Sequence, residues 1–432
     1  MSLAKVARSA LIALAVALVS LSARWKLDAR LWIPGEERWV TTDPDGLYHL
    51  RRLERVASEG LPVAAHDPLF SYPAGSAIPW PPYYTRVAWG LIRTCAGAEP
   101  VRKDFLERAS ASLACGFGVL TSLVAALSAG LLLGPWAALL AGLGHAFCFG
   151  SIAYSRIGIG DHHAFVSLVS ALLACTVSGA WARAAWQRPR AGIACGSLAG
   201  MLAGVLLGSW VAALVDVVLI EVVLGLLLCL HARRPLPGLA SFGLSLHLVA
   251  LLVLSPALAA SPWRTSHPWI VVNLSWFHAT HLLLGAAVFV PLLWLRAAKL
   301  RRYPWIVVGV LALLALVSAG LPFGPGAGLR EGFAWMSREN RFMATIAERP
   351  LSRRTAARTA CGKSIVLRQW AIRCAITSVS VSEVKSLTPN SSRSSSWFST
   401  IPLCTSAIEC VGSKWGWAFA SVTPPCVAQR VC

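Results

Sequence analysis

Three short stretches carry side chains of the kind that hold cations or handle protons. The first reads Thr41-Thr42-Asp43-Pro44-Asp45-Gly46-Leu47-Tyr48-His49-Leu50-Arg51-Arg52 and follows an apolar run near the N-terminus. An acidic pair beside a bilayer is either a solvated turn or a site for a hard divalent ion such as Mg2+ or Mn2+, because carboxylate oxygens suit such ions. The second reads Tyr154-Ser155-Arg156-Ile157-Gly158-Ile159-Gly160-Asp161-His162-His163. In an extended loop Asp161 and His163 project to one side, where they can reach one metal, and His162 turns away. The third runs from Ser337 to Pro350 and contains Thr345-Ile346-Ala347-Glu348. By itself Glu348, among arginines, reads as a surface ion pair.

The elements that must position these residues are membrane helices. The chain has 432 residues, 56% hydrophobic and 13% charged, with a mean hydropathy of +0.62, which excludes a soluble enzyme and points to an all-α polytopic membrane protein. Apolar runs fall at 9–23, 110–133, 136–153, 164–182, 191–208, 211–230, 238–260, 270–295 and 304–320. Each is near the length of about 20 residues that spans a bilayer, giving about nine helices. The first run, behind Lys5 and Arg8, has only a weak cleavage site and reads as an uncleaved span.

The net charge of +20 sits largely in short gaps between these runs, at Arg183, Arg188 and Arg190, at Arg233 and Arg234, and at Arg296, Lys299, Arg301 and Arg302. The Lys/Arg bias makes those gaps cytoplasmic, and no basic stretch carries a nucleic-acid-binding signature. Helix parity then places a long first loop, 24–109, the short loop 154–163 and the loop 321–350 together on the outer face. The proline- and aromatic-rich stretch from Phe70 to Tyr84 suits a rigid loop among lipid headgroups.

Five of the cysteines, Cys115, Cys148, Cys175, Cys195 and Cys229, lie inside apolar runs and read as small hydrophobes, and no Cys-x-x-Cys pair occurs. Gly200, Gly204 and Gly208 are expected to let helices approach closely. Residues 1–350 read as a transmembrane core. Residues 351–432 form an atypical basic tail with only Glu383 and Glu409 as acids, either disordered or read out of the ancestral frame.

Four of these stretches together resemble the catalytic subunit of oligosaccharyltransferase, the membrane enzyme of asparagine-linked protein glycosylation. They are Asp45-Gly-Leu-Tyr48-His49-Leu-Arg51, Tyr72-Pro-x-Gly75 through Trp80-Pro-Pro, Tyr154-Ser155-Arg156 through Asp161-His-His163, and Thr345-Ile-Ala-Glu348. The resemblance covers residues 1–350 and implies a glycosyltransferase core of the GT-C type. It implies a divalent metal, Mn2+ or Mg2+, held by Asp45, Asp161 and His163, with Asp43 an alternate for Asp45. It further implies that Asp45 and Glu348 are catalytic, that Glu348 orients the acceptor asparagine, and that Arg156 lies near the donor. The partners it implies are a polyprenyl-diphosphate-linked glycan, a translocated polypeptide and the bilayer, with no nucleic acid. The location implied is a prokaryotic plasma membrane with the site on the outer face. The family's sequon-binding Trp-Trp-Asp-Tyr-Gly motif is missing from this sequence, so weak or absent activity is an expectation. The competing readings are a non-catalytic membrane remnant and a related polyprenyl-linked sugar transferase. A transporter fits poorly, since the acids lie in loops and not at mid-helix.

Overall fold

The computed structural model describes residues 3–25, 32–33, 38–39, 41, 43–70, 73–97, 99–230, 236–294 and 302–337. The segments that are apolar all round become long helices, because inside a bilayer a helix satisfies its own backbone. These are α1 (Leu3–Arg24), α4 (Lys103–Leu133), α7 (His163–Ala182), α8 (Pro189–Leu207), α9 (Leu214–Leu230), α10 (Pro237–Ala260) and α12 (Trp276–Phe289). Between them stand α2 (Pro44–Glu59), α3 (Tyr83–Ala96), α5 (Pro135–Phe147), α6 (Phe149–Ser155) and α11 (Trp263–Ser266). The series ends with Tyr303–Gly320 and Pro325–Ser337, here α13 and α14.

Among the described residues seven helices are long and apolar enough to cross a membrane, or eight if the bent pair α5 and α6 is one span. The run expected at 136–153 breaks at Cys148 with a bend of 60°, and Gly134, at φ 93, lets the chain turn from α4 into α5. The run expected at 270–295 begins as a helix only at Trp276, where the Ser275 hydroxyl accepts the Phe277 N–H as an N-cap. The ninth run forms α13, whose apolar part is the 14 residues Trp305–Ser318. Side chains such as Leu140, Leu252 and Leu316 are left exposed on these helices, as expected of surfaces that meet lipid. The chain is a multipass membrane protein.

The tightest contact joins α8 to α10. A Cβ on Gly192, Gly196, Gly200 or Gly204 would lie 2.1 to 2.7 Å from Gly238, Phe242, Leu246 and Val253 respectively. The two series climb together, so the helices run parallel with their backbones nearly touching, which small residues alone permit. Gly208 lets a different helix approach, with the ring of Tyr83, the first residue of α3, 2.2 Å from where its Cβ would be.

The first long loop is folded. Besides α2 and α3 it holds two antiparallel ladders, β1 (Trp32–Ile33) with β2 (Arg38–Trp39) and β3 (His66–Asp67) with β4 (Ser76–Ala77). It is fastened to one end of the bundle: the Tyr83 N–H donates to the Gly208 carbonyl at 2.9 Å, and Trp263 Nε1 donates to the Ile78 carbonyl at 3.3 Å.

Candidate metal centre

The short loop 156–162 packs into this end of the bundle instead of lying in solvent, and every residue from Ile157 to His162 is buried. Its backbone groups are accounted for by neighbours, as burial requires. The Ile157 N–H donates to the Arg24 carbonyl and the Gly158 N–H to the Ala111 carbonyl, at 3.1 and 2.9 Å. Thr41 Oγ1 donates to the Gly158 carbonyl at 2.5 Å and accepts the Gly160 N–H at 3.2 Å. The Tyr84 hydroxyl donates to the Gly160 carbonyl at 3.0 Å. Two glycines make this possible. Gly158 adopts φ 90, and Gly46 brings the start of α2 so close that a Cβ there would lie 2.9 Å from Gly160 N.

Asp43 caps α2, its carboxylate accepting the Gly46 N–H at 2.7 Å. Asp45 in the first turn and His49 one turn later share a stripe of that helix. His49 Nε2 lies 3.0 Å from His162 Nδ1 and 3.7 Å from Asp161 Oδ1. Asp161 Oδ1 also stands 2.5 Å from His162 Nδ1 and accepts the His162 backbone N–H at 2.6 Å. Its other oxygen, Oδ2, is 3.3 Å from His163 Nε2. Aromatic rings wall the group, with Tyr84 centred 4.8 Å from His49 and Trp210 centred 5.4 Å from His163.

Burial acts hardest on each of these groups, and the charges around them decide the outcome. Against its burial, Asp161 is held well below the usual carboxylate range by His162 and His163, and by the His162 hydrogen bond and His49. His49 is pushed well below the ordinary imidazole value by burial and then by His162. His162 is raised in spite of burial by Asp161, by their hydrogen bond and by Asp45.

One ligand atom from each of His49, Asp161 and His162 lies within 4.8 Å of the others, a spread that one ion can bridge. His49 Nδ1 and His162 Nε2 are buried without a hydrogen-bond partner among the described residues, and buried nitrogens of that kind are ready to meet a ligand. Two imidazoles with a carboxylate make a donor set suited to a borderline ion such as Zn2+ or Mn2+ more than to Mg2+.

Of the residues singled out in the sequence, Asp161 and His163 stand together, and Asp45 is near enough for its charge to act on His162. Arg156 ends α6 with an exposed side chain. Glu348, Thr345 and Tyr72 lie outside the described residues. The expectation that His162 turns away does not hold. The chain is already helical there, at φ −73 and ψ −17, so the alternation of an extended strand does not apply. His49 was legible as the residue four after Asp45 on a helix, a spacing that sets both on one face.

No protein-family model matches the chain, and no curated protein matches its sequence. Solved structures do match its fold. The archaeal oligosaccharyltransferase AglB from Archaeoglobus fulgidus, in complex with an inhibitory peptide and a dolichol-phosphate, superposes with a TM-score of 0.66 at 19% identity, over 81% of this chain and 41% of that one. The apo form of the Archaeoglobus fulgidus oligosaccharyltransferase gives 0.63 at 19% identity, over 78% and 40%. Its complex with Zn and sulfate gives 0.55 at 18% identity, over 73% and 41%. The present chain therefore has an oligosaccharyltransferase-like membrane fold of the GT-C class, and it spans about 40% of the length of the solved chains it matches.

Proposed function

We propose that this chain is the membrane core of a glycosyltransferase that moves a glycan from a polyprenyl-diphosphate donor to the side-chain nitrogen of asparagine in a translocated polypeptide. The observation that carries the reading is the meeting of Asp161, His162 and His163 with the Asp45 and His49 stripe of α2, within a fold like that of oligosaccharyltransferase. In this reading the site works on the outer face of a prokaryotic plasma membrane, and residues 1–350 are the catalytic core.

Asp45, Asp161 and His163 are the ligands we assign to a divalent ion, with His49 and His162 beside them. Asp43 is set apart from them, since its carboxylate is engaged in capping α2. When bound, a divalent ion would stabilise the negative charge that develops on a departing diphosphate. The remaining work belongs to side chains. An amide nitrogen is a poor nucleophile because its lone pair is delocalised, and carboxylates that accept its N–H bonds orient it and weaken that conjugation. Asp45 and Glu348 have that role here, and Arg156 has that of a cation beside the donor. The buried ring of Tyr84 and the half-buried ring of Trp210 keep water from competing with the acceptor.

The test is transfer of a labelled polyprenyl-linked glycan to an Asn-x-Thr peptide by membranes containing the full chain. Asp45→Ala, Asp161→Ala and Glu348→Ala are expected each to lower transfer. Transfer that survives all three changes would end the catalytic reading.

A further inference from the structure

A second carboxylate and imidazole cluster lies within the membrane helices, apart from the metal centre. Glu221 extends from α9, His247 from α10 and His281 from α12. One oxygen of Glu221, Oε1, is 2.9 Å from His247 Nε2 and 2.9 Å from His281 Nε2. The other ring nitrogen of His247, Nδ1, is 2.6 Å from the Gly243 carbonyl. A carbonyl oxygen only accepts, so Nδ1 carries a hydrogen. A neutral His247 then presents a lone pair at Nε2, aimed at a carboxylate that also offers only lone pairs. Two acceptors at that separation repel unless a cation lies between them.

We infer that Glu221 and His247 form a proton-binding site inside the membrane, with one labile proton shared between Glu221 Oε1 and His247 Nε2 and with the His281 ring beside the same oxygen. Imidazolium with carboxylate and imidazole with carboxylic acid are the two forms of this pair, and both are net neutral, as an apolar surrounding favours. The N···O separations are those of an N–H···O hydrogen bond. Among the described residues, the group whose three ligand atoms all lie within 4.8 Å is the outer one, His49, Asp161 and His162. The inner cluster therefore suits a proton better than a metal ion. Its side chains grade from closed to open, His247 at 0% exposure, Glu221 at 22% and His281 at 25%.

The groups around the pair are few. α12 adds His278, whose Nδ1 accepts the Ser275 N–H and whose buried Nε2 has no partner among the described residues. α9 adds Asp216, bonded to Ser170 of α7 at 2.9 Å. Neither α10 nor α13 holds a Lys, Arg, Asp or Glu.

The full chain in lipid nanodiscs decides the matter by infrared spectroscopy across a pH series and 15N spectroscopy of labelled histidines. The expected results are a carboxyl C=O band that shifts in deuterium oxide and is lost in Glu221→Gln, and a histidine Nε2 signal of strongly hydrogen-bonded character that is lost in His247→Gln. A Glu221 that stays ionised beside an unprotonated His247 Nε2 at every pH overturns the inference. So does stoichiometric Zn2+ binding by chelator-treated Asp161→Ala protein that Glu221→Gln removes, since the occupant is then a metal ion. Should either variant fail to fold, the 15N spectrum of the unaltered chain still separates these outcomes.

Discussion

The outer and inner clusters are built from the same chemistry, one carboxylate among imidazoles, and differ in what surrounds them. At the outer centre Asp161 is approached by three imidazoles, a second carboxylate at Asp45 acts on the group, and two ring nitrogens are left without partners. At the inner one Glu221 meets two imidazoles, and a backbone carbonyl takes up the far nitrogen of His247. A third imidazole and an extra acid prepare the first for a multivalent ion. At the second, the Gly243 carbonyl fixes a hydrogen on His247 Nδ1, which leaves one proton to be shared between His247 Nε2 and Glu221. Residue type therefore does not decide the use of such a cluster; the number of acids and imidazoles that gather, and the groups that fix their hydrogens, do.

The comparison is broken most directly by exchanging losses. Asp161→Ala is expected to lower glycan transfer at least ~100-fold, since the residue that gathers the imidazoles is gone, whereas Glu221→Gln leaves transfer within about threefold; rates on one acceptor peptide check both. Equal losses would erase the distinction. Zn2+ or Mn2+ added to chelated protein should raise the unfolding temperature, with a gain of about 2.7 kcal/mol at a hundredfold excess over Kd. Asp161→Asn should abolish that gain and Glu221→Gln should not, as read by thermal unfolding in detergent.

Glu221→Ala should weaken the tie of α9 to α10 and α12 by about 1–2 kcal/mol, the scale of interhelical polar contacts in membranes, measured by denaturant unfolding in mixed micelles. The smallest effect belongs to Asp43→Ala, which removes the cap of α2 at a cost of about 1 kcal/mol. It should leave metal-dependent stabilisation in place, whereas Asp45→Ala should reduce it; a matched pair of unfolding curves with and without metal sorts the two acids.

The apolar runs and the Lys/Arg-rich gaps determined on their own that this is a bundle of membrane helices, because hydropathy over about 20 residues is a local property and burial of backbone polar groups in lipid leaves few alternatives. Asp161 and His163 could be singled out because they stand in a short polar loop between two apolar runs, and Asp45 because it opens a motif in the long first loop. The expected close packing at Gly200 and Gly204 is found against α10. What the residue order did not carry was the company each side chain keeps. His162 joins Asp161 because a helical turn replaces the strand that alternation assumed, and Gly208 makes its close approach to Tyr83 at the start of α3 and not to α10. Glu221, His247 and His281 stand 26 and 34 residues apart in three apolar runs, and nothing local marks them as partners. Long-range packing alone puts them on one oxygen, because which face of a membrane helix looks inward is settled by its neighbours and not by its own composition.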